Sequence, residues 1–173
     1  MLRGINVSGQ KKIKMDELKS LYESLNFNNV RTYIQSGNVI FKSENTDSEK
    51  LEKLIGEKIN QSFGYSVVVF VKTVNEFQQT INQNPFLNKS KEDITKLCVK
   101  FLSSIPDESL IKNLENFKSD SEDFNLIGNE IYLYCPDGYG RTKLSNNFFE
   151  NKLKVSATTR NWRTVNKLFE IAK

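Results

Sequence analysis

Four polar stretches of this chain carry residue types suited to holding an anion. In "PDGYGRTKLSNN" Gly138 and Gly140 free the backbone just ahead of Arg141, Thr142 and Lys143, at the predicted start of a helix. Free N–H groups at a helix start, a guanidinium that can bond two oxygens at once and a nearby ammonium together suit a phosphate. The stretch is not a P-loop, because its spacing is too short and the glycine-lysine order is missing. In "RGINVSGQKKIK" Gly4 permits close backbone approach, while Arg3 and Lys14 supply charge. In "YIQSGNV" Gln35, Ser36 and Asn38 surround Gly37. In "ATTRNWRTVNKL" Arg160, Asn161 and Thr164 crowd around the only tryptophan, Trp162. Each stretch also has a purely structural explanation: a turn, a hairpin closed by side-chain to backbone bonds, or a helix capped by Thr158 or Thr159. Arg160 fits the capped-helix explanation least well, since a cation in a first helical turn opposes the helix dipole.

The chain has no histidine. That excludes Ser-His-Asp and Cys-His catalysis, histidine zinc sites and any imidazole base titrating near neutrality. Two cysteines, Cys98 and Cys135, are too few for a closed thiolate metal site, and both sit in strand-like runs where a small buried hydrophobe is the expected role. No metal site and no cofactor are expected, apart from a magnesium carried in with a phosphate. Proton transfer would fall to a lysine or a tyrosine, with Tyr33 and Tyr139 as the candidates.

The elements that must position these stretches follow from composition and periodicity. A chain of 173 residues, 38% hydrophobic, buries one core or two small ones. No apolar run reaches the roughly 18 residues that span a bilayer, and the start "MLRGINVSGQKKIK" lacks the pattern of a secretory signal. A cytoplasmic protein with no membrane partner is expected. The net charge of +4 is unevenly spread. Basic residues gather near both ends, and acids concentrate in "PDESLIKNLENFKSDSEDF". If the two ends meet they form a basic face.

Periodicity predicts strand "LRGINV", helix "KMDELKSLYESL", strands "VRTYIQ" and "NVIFK" joined at Ser36-Gly37, helix "TDSEKLEKLIGEKINQSF" and strand "SVVVFVK". After a connecting helix in "TVNEFQQTINQ", the order nearly repeats: strand "KLCVKFLS", helix "PDESLIKNLENF", strands "EDFNLI" and "EIYLYC" turning at Gly128-Asn129, and helices "KLSNNFFENKL" and "RNWRTVNKLFEIAK". This is the βαββαβ order of a ferredoxin-like unit, present twice. The expected fold class is α+β: two ferredoxin-like subdomains packed together, the second a variant with an extra C-terminal helix. The expected organisation is a first subdomain over residues 1–72, a connecting helix and linker over 73–94, and a second subdomain over 95–173.

Taken jointly, "LRGIN", "TYIQSGN", "GRTKL" and "TTRNW" closely resemble the family called domain of unknown function 1697, across essentially the whole chain. The resemblance implies a bacterial cytosolic protein with paired ferredoxin-like subdomains and no established activity. Members of that family typically carry a few apolar residues before "LRGIN". Here Met1-Leu2 stand first, so a clipped first strand is expected.

The leading expectation is a protein that binds a phosphate-bearing ligand, nucleotide or nucleic acid at a basic polar surface built from both halves. Arg3, Lys14, Gln35, Asn38, Arg141, Lys143, Arg160 and Asn161 would line that surface. The alternatives are an enzyme acting on a small phosphorylated or acidic metabolite without histidine, or a protein-interaction module. Ligand identity, turnover and oligomeric state are open at this level.

Overall fold

The computed structural model describes residues 1–7, 9–44, 46–87, 93–114, 117 and 122–173. Among these the protein is a mixed α/β structure with two antiparallel sheets and six helices. The chain divides into two compact units, one comprising Met1–Val74 with Leu168–Lys173 and the other Asn75–Lys167. No helix among the described residues is long and apolar enough to cross a membrane.

In the first unit, α1 (Met15–Glu23) and α2 (Ser48–Phe63) cover a two-stranded ribbon of β1 (Asn28–Tyr33) and β2 (Asn38–Lys42). Leu18, Leu21 and Tyr22 of α1 are buried, as their helical spacing predicts. In α2 the buried stripe is Leu51, Ile55 and Ile59, while Leu54 is exposed. Asp47 caps α2 by accepting from the Lys50 amide, and Gly64 ends it in the left-handed conformation at φ 71°. Phe27 stacks on Phe41 at 4.4 Å between ring centres, with Tyr22 edge-on to Phe41 at 5.4 Å.

Two predicted strands of this unit are reduced to isolated bridges, Leu2 to Val69 and Val7 to Gln10. "LRGINV" is interrupted because Gly4 and Asn6 adopt φ of 68° and 54°, outside extended geometry. What remains is a short backbone seam: the Leu2 amide donates to Gly37 O, the Arg3 amide to Val68 O, and the Phe70 amide to Met1 O. "SVVVFVK" likewise contributes only the bridge from Val69 to Leu2. The hairpin also differs from the two-residue turn expected at Ser36-Gly37. Tyr33 pairs with Asn38, so the loop is Ile34–Gly37, with Ile34 at φ 51° and Gly37 at φ 75°.

In the second unit β3 (Leu97–Leu102), β4 (Asp123–Ile127), β5 (Glu130–Tyr134) and β6 (Ala157–Asn161) form one antiparallel sheet in the order β4-β5-β3-β6. The β4–β5 turn is Gly128-Asn129, with Gly128 at φ 60°. All six residues of β3 are buried because both its faces are covered. Cys98, Leu102, Leu133 and Ile131 pack with Phe149 and Leu153 of α5 (Asn146–Leu153). On the opposite face, Phe101 meets Phe77 of α3 (Val74–Asn82) at 5.7 Å, and the Tyr132 hydroxyl donates to Thr80 O. The predicted helix over 106–117 is α4 (Glu108–Lys112); residues 115–116 of that prediction, 118–121 of the acid-rich stretch and 88–92 of the expected linker lie outside the described residues.

The largest correction concerns the C-terminal stretch. Ala157–Asn161 is not a helix entry capped by Thr158 or Thr159; it is strand β6, paired with β3 along its whole length. The last helix, α6 (Trp162–Ala172), begins later and is capped by Asn161, whose Oδ1 accepts from the Thr164 amide at 2.8 Å. Threonines serve as caps or as strand residues with similar ease, and here pairing with a buried neighbouring strand decides. Trp162, Val165, Leu168 and Phe169 form the buried stripe of α6.

Two stability predictions follow from these local geometries. A Cβ on Gly37 would lie 2.8 Å from both Leu2 Cβ and Ile5 Cδ1, at a positive φ. Gly37→Ala therefore lowers unfolding free energy by roughly 2 to 4 kcal/mol in a urea titration. Asn161→Ala removes the α6 cap and costs about 1 kcal/mol; an unchanged denaturation midpoint would mean that the cap contributes nothing.

Candidate functional site

A lysine occupies the middle of the most buried strand of the protein. Lys100 is 0% exposed. It lies two residues from both Cys98 and Leu102, so strand alternation points it to the α5 face, into an otherwise apolar layer. A buried ammonium needs an acceptor for each of its three N–H bonds, or it carries a large desolvation cost. Lys100 has all three. Its Nζ donates to Asn146 Oδ1 at 2.7 Å, Thr159 Oγ1 at 2.9 Å and Tyr139 Oη at 3.2 Å. The rings of Phe149 and Tyr139 lie 5.1 and 5.4 Å away.

Each acceptor comes from a different element. Thr159 is the register partner of Lys100 across the β3–β6 ladder, so their side chains share a face. Asn146 is the first residue of α5, placed there because Ser145 caps that helix by accepting from the Phe148 amide. Tyr139 stands between Gly138 and Gly140 in the loop after β5. The three acceptors also bond one another: Thr159 Oγ1 donates to Asn146 Oδ1 at 2.7 Å, and Tyr139 Oη lies 3.0 Å from Thr159 Oγ1. Tyr139, Asn146 and Thr159 are half-buried, so the cluster reaches from the sheet interior to the surface. Burial pushes the Tyr139 phenol up from its ordinary pKa, and the hydrogen bond with Thr159 offsets part of this, so Tyr139 is a protonated hydroxyl at neutral pH.

The two thiols lie beneath the same layer. Burial pushes Cys98 up to about 12 and Cys135 upward as well, with the charge of Lys100 opposing both shifts. Both are free, buried and protonated, which is the state of a packing residue.

The residues proposed from sequence fall into distinct positions. In the first unit Asn38 is fully buried, its Nδ2 donating to Tyr33 O and Ser36 Oγ, and so it closes the hairpin loop. Gln35 is exposed, and its backbone carbonyl accepts from Asn6 Nδ2. Lys14 is exposed, 3.6 Å from the Glu17 carboxylate. Arg3 is half-buried in the seam beside Val68. Asn6, which sequence reasoning did not single out, ties these segments together: it also donates to Ile13 O and accepts from the Ile13 amide. Its only sequence signal is membership of "LRGIN".

In the second unit Arg141 and Lys143 are exposed on the loop that carries Tyr139. Arg160 lies in β6 rather than in a first helical turn, and its N–H groups bond Thr158 Oγ1 at 2.9 Å and Thr159 O at 2.8 Å. Burial lowers its pKa to about 10, which still leaves it charged. Asn161 caps α6. The structure thus brings Tyr139, named from sequence as a proton carrier, together with Lys100, Asn146 and Thr159, none of which was named as a site residue. The available signal was a lysine inside "LCVKFL", where an apolar residue is the norm.

The whole chain aligns with the conserved bacterial protein SP0830 from Streptococcus pneumoniae, covering 100% of this chain and 96% of that one, with a TM-score of 0.72 and 21% identity. At that identity the likeness is one of fold. No curated protein matches the chain in sequence. The profile of the family described as "Protein of unknown function (DUF1697)" matches residues 1–132, and the chain belongs to that family.

Proposed function

We propose that the second unit binds a small phosphate-bearing or otherwise anionic ligand above the Lys100 cluster, within a chain built of two ferredoxin-like subdomains. The βαββαβ order and the strand order β4-β5-β3-β6 support the ferredoxin-like assignment for the second unit. Two free buried thiols fit a reducing compartment, and we place the protein in the cytoplasm on that basis.

One observation carries the binding reading: a buried ammonium held only part-way to the surface by half-exposed neutral groups, Tyr139, Asn146 and Thr159. The Tyr139 and Thr159 hydroxyl protons are used inside the cluster, and the side-chain N–H groups of Asn146 are the donors it turns toward a ligand. A positive charge behind such donors attracts an anionic oxygen. The loop that contributes Tyr139 adds Arg141 and Lys143, both exposed and placed to meet additional charge on the ligand. The surface offered is a few side chains wide, which favours a small metabolite or nucleotide over an extended nucleic acid.

The test is calorimetric titration with inorganic phosphate, pyrophosphate and mononucleotides. Saturable binding is expected, and replacing both Arg141 and Lys143 by alanine weakens it by about tenfold or more. Absence of binding to all three probes at low salt refutes the proposal. Tight oligonucleotide binding with a steep salt dependence would replace it with the nucleic-acid reading.

A further inference from the structure

A cleft of about 540 Å³ lies between α1 and α2 in the first unit, within the range of about 300–1,000 Å³ that small-molecule sites occupy. Its walls carry three kinds of group. Asp16 and Glu17, in the first turn of α1, supply carboxylates, and Lys58 of α2 supplies an ammonium. Leu21 and Phe63, both packed on the core of this unit, are its apolar part. Ser20, Ser24 and Ser62 line it with hydroxyls.

The opposite charges of this cleft do not neutralise each other. Among the described residues no ion pair joins Lys58 to Asp16 or Glu17, and Glu17 stands instead 3.6 Å from Lys14 Nζ. Asp16 and Lys58 have no ion-pair partner among the described residues, so one open carboxylate and one open ammonium face the same space. The hydroxyls are open as well. Ser24 Oγ donates to Leu21 O and keeps its lone pairs, while the side chains of Ser20 and Ser62 make no hydrogen bond with described residues.

We propose that this cleft binds a short peptide with free ends, two or three residues long, as a zwitterion. The peptide's ammonium meets Asp16 and its carboxylate meets Lys58, through charge-assisted hydrogen bonds. Its amide groups need both donors and acceptors, which serine hydroxyls supply. An apolar side chain of the peptide covers Leu21 and Phe63. Length agrees: the wall from Asp16 to Ser24 runs along α1 for about 12 Å, and an extended peptide of two or three residues spans about 7 to 10 Å. A single exposed ion pair contributes little, so affinity requires that one molecule engage both charges and the apolar floor together. That requirement separates a free-ended peptide from a polyamine, which lacks the carboxylate, and from a fatty acid, which lacks the amine. The site lies wholly in the first unit and is independent of the anion-binding reading for the second.

The test titrates the isotope-labelled full chain with alanyl-leucine, and with its N-acetylated and C-amidated forms, by nuclear magnetic resonance. Saturable shifts are expected for the amides of residues 16–24 and 58–63, with a dissociation constant below about 1 mM. Each capped form is expected to bind about fivefold more weakly or worse, having lost one charged contact. Asp16→Asn is expected to weaken alanyl-leucine by a similar factor and to erase its advantage over the N-acetylated form. Lys58→Met is expected to erase the advantage over the amidated form, because a contact already lost cannot be lost again. Should either variant fail to fold, the capped probes on the unaltered chain decide. Shifts that do not saturate, shifts centred outside the two helices, or equal binding of the capped forms overturn the proposal. So does tumbling that slows with protein concentration as the same amides shift, which would seat a second copy in the cleft. The probe carries no phosphate, so its failure leaves the anion-binding reading standing.

Discussion

A single buried charge organises the second unit. Lys100 replaces what would be one more aliphatic side chain in the centre of a fully covered strand, and three oxygens converge on its ammonium. Removing water from an ammonium costs several kcal/mol unless its hydrogen bonds are replaced. That cost constrains three separate elements at once. Strand β6 must pair with β3 in the register that sets Thr159 opposite Lys100, α5 must begin at Asn146, and the loop after β5 must bring Tyr139 back over the sheet. A one-residue slip of β6 would turn Thr159 to the other face and leave the ammonium short of an acceptor. The polar cluster therefore adds to the register that the buried apolar residues already favour.

The first unit is organised by a different constraint, the close approach of backbone to backbone. Gly37 allows Leu2 and Ile5 to come within contact distance, and Asn6 fills the gap that follows by bonding Ile13 twice and Gln35 once. Both residues adopt positive φ, and so does Ile34 in the same loop. A β-branched residue in that region is strained. The strain is held by the ties on either side of it, Asn6 to Gln35 and Asn38 to Tyr33. "LRGIN" and "TYIQSGN" are thus two halves of one joint, and Asn38 within them is a structural residue.

Helices and their buried faces were legible in the sequence because a 3.6-residue repeat is a local property: α1 and α2 lie within their predicted spans and bury apolar residues at helical spacing. The β4–β5 hairpin was legible through Gly128-Asn129 for the same reason. Strands held by distant partners were harder to read. "LRGINV" has a strand-like composition, yet its glycine and asparagine take left-handed geometry to serve the joint, and "ATTRN" reads equally well as a helix entry until β3 is there to pair with it. The candidate site was least legible. The acceptors of Lys100 lie 39, 46 and 59 residues further along the chain, so no window of sequence contains them together. Tyr139 could be named from its glycine-flanked loop; Lys100 read as an irregularity in an apolar strand.

The stretch Thr158-Thr159-Arg160-Asn161-Trp162 joins these levels. Thr158 accepts from Arg160, and Arg160 also holds the carbonyl of Thr159, whose side chain faces Lys100. Thr159 is thereby fixed from two directions, through its side chain by Lys100 and through its backbone by a buried guanidinium. Asn161 then ends the strand by capping α6, and Trp162 anchors the helix in the core. Arg160, whose position made least sense as part of a helix, acts on the site without being exposed to a ligand. It holds rigid the one acceptor of Lys100 that lies on an edge strand of the sheet, where backbone motion would otherwise be greatest. A hydroxyl held this firmly keeps its oxygen in place as an acceptor for the buried ammonium while its proton goes to Asn146 Oδ1.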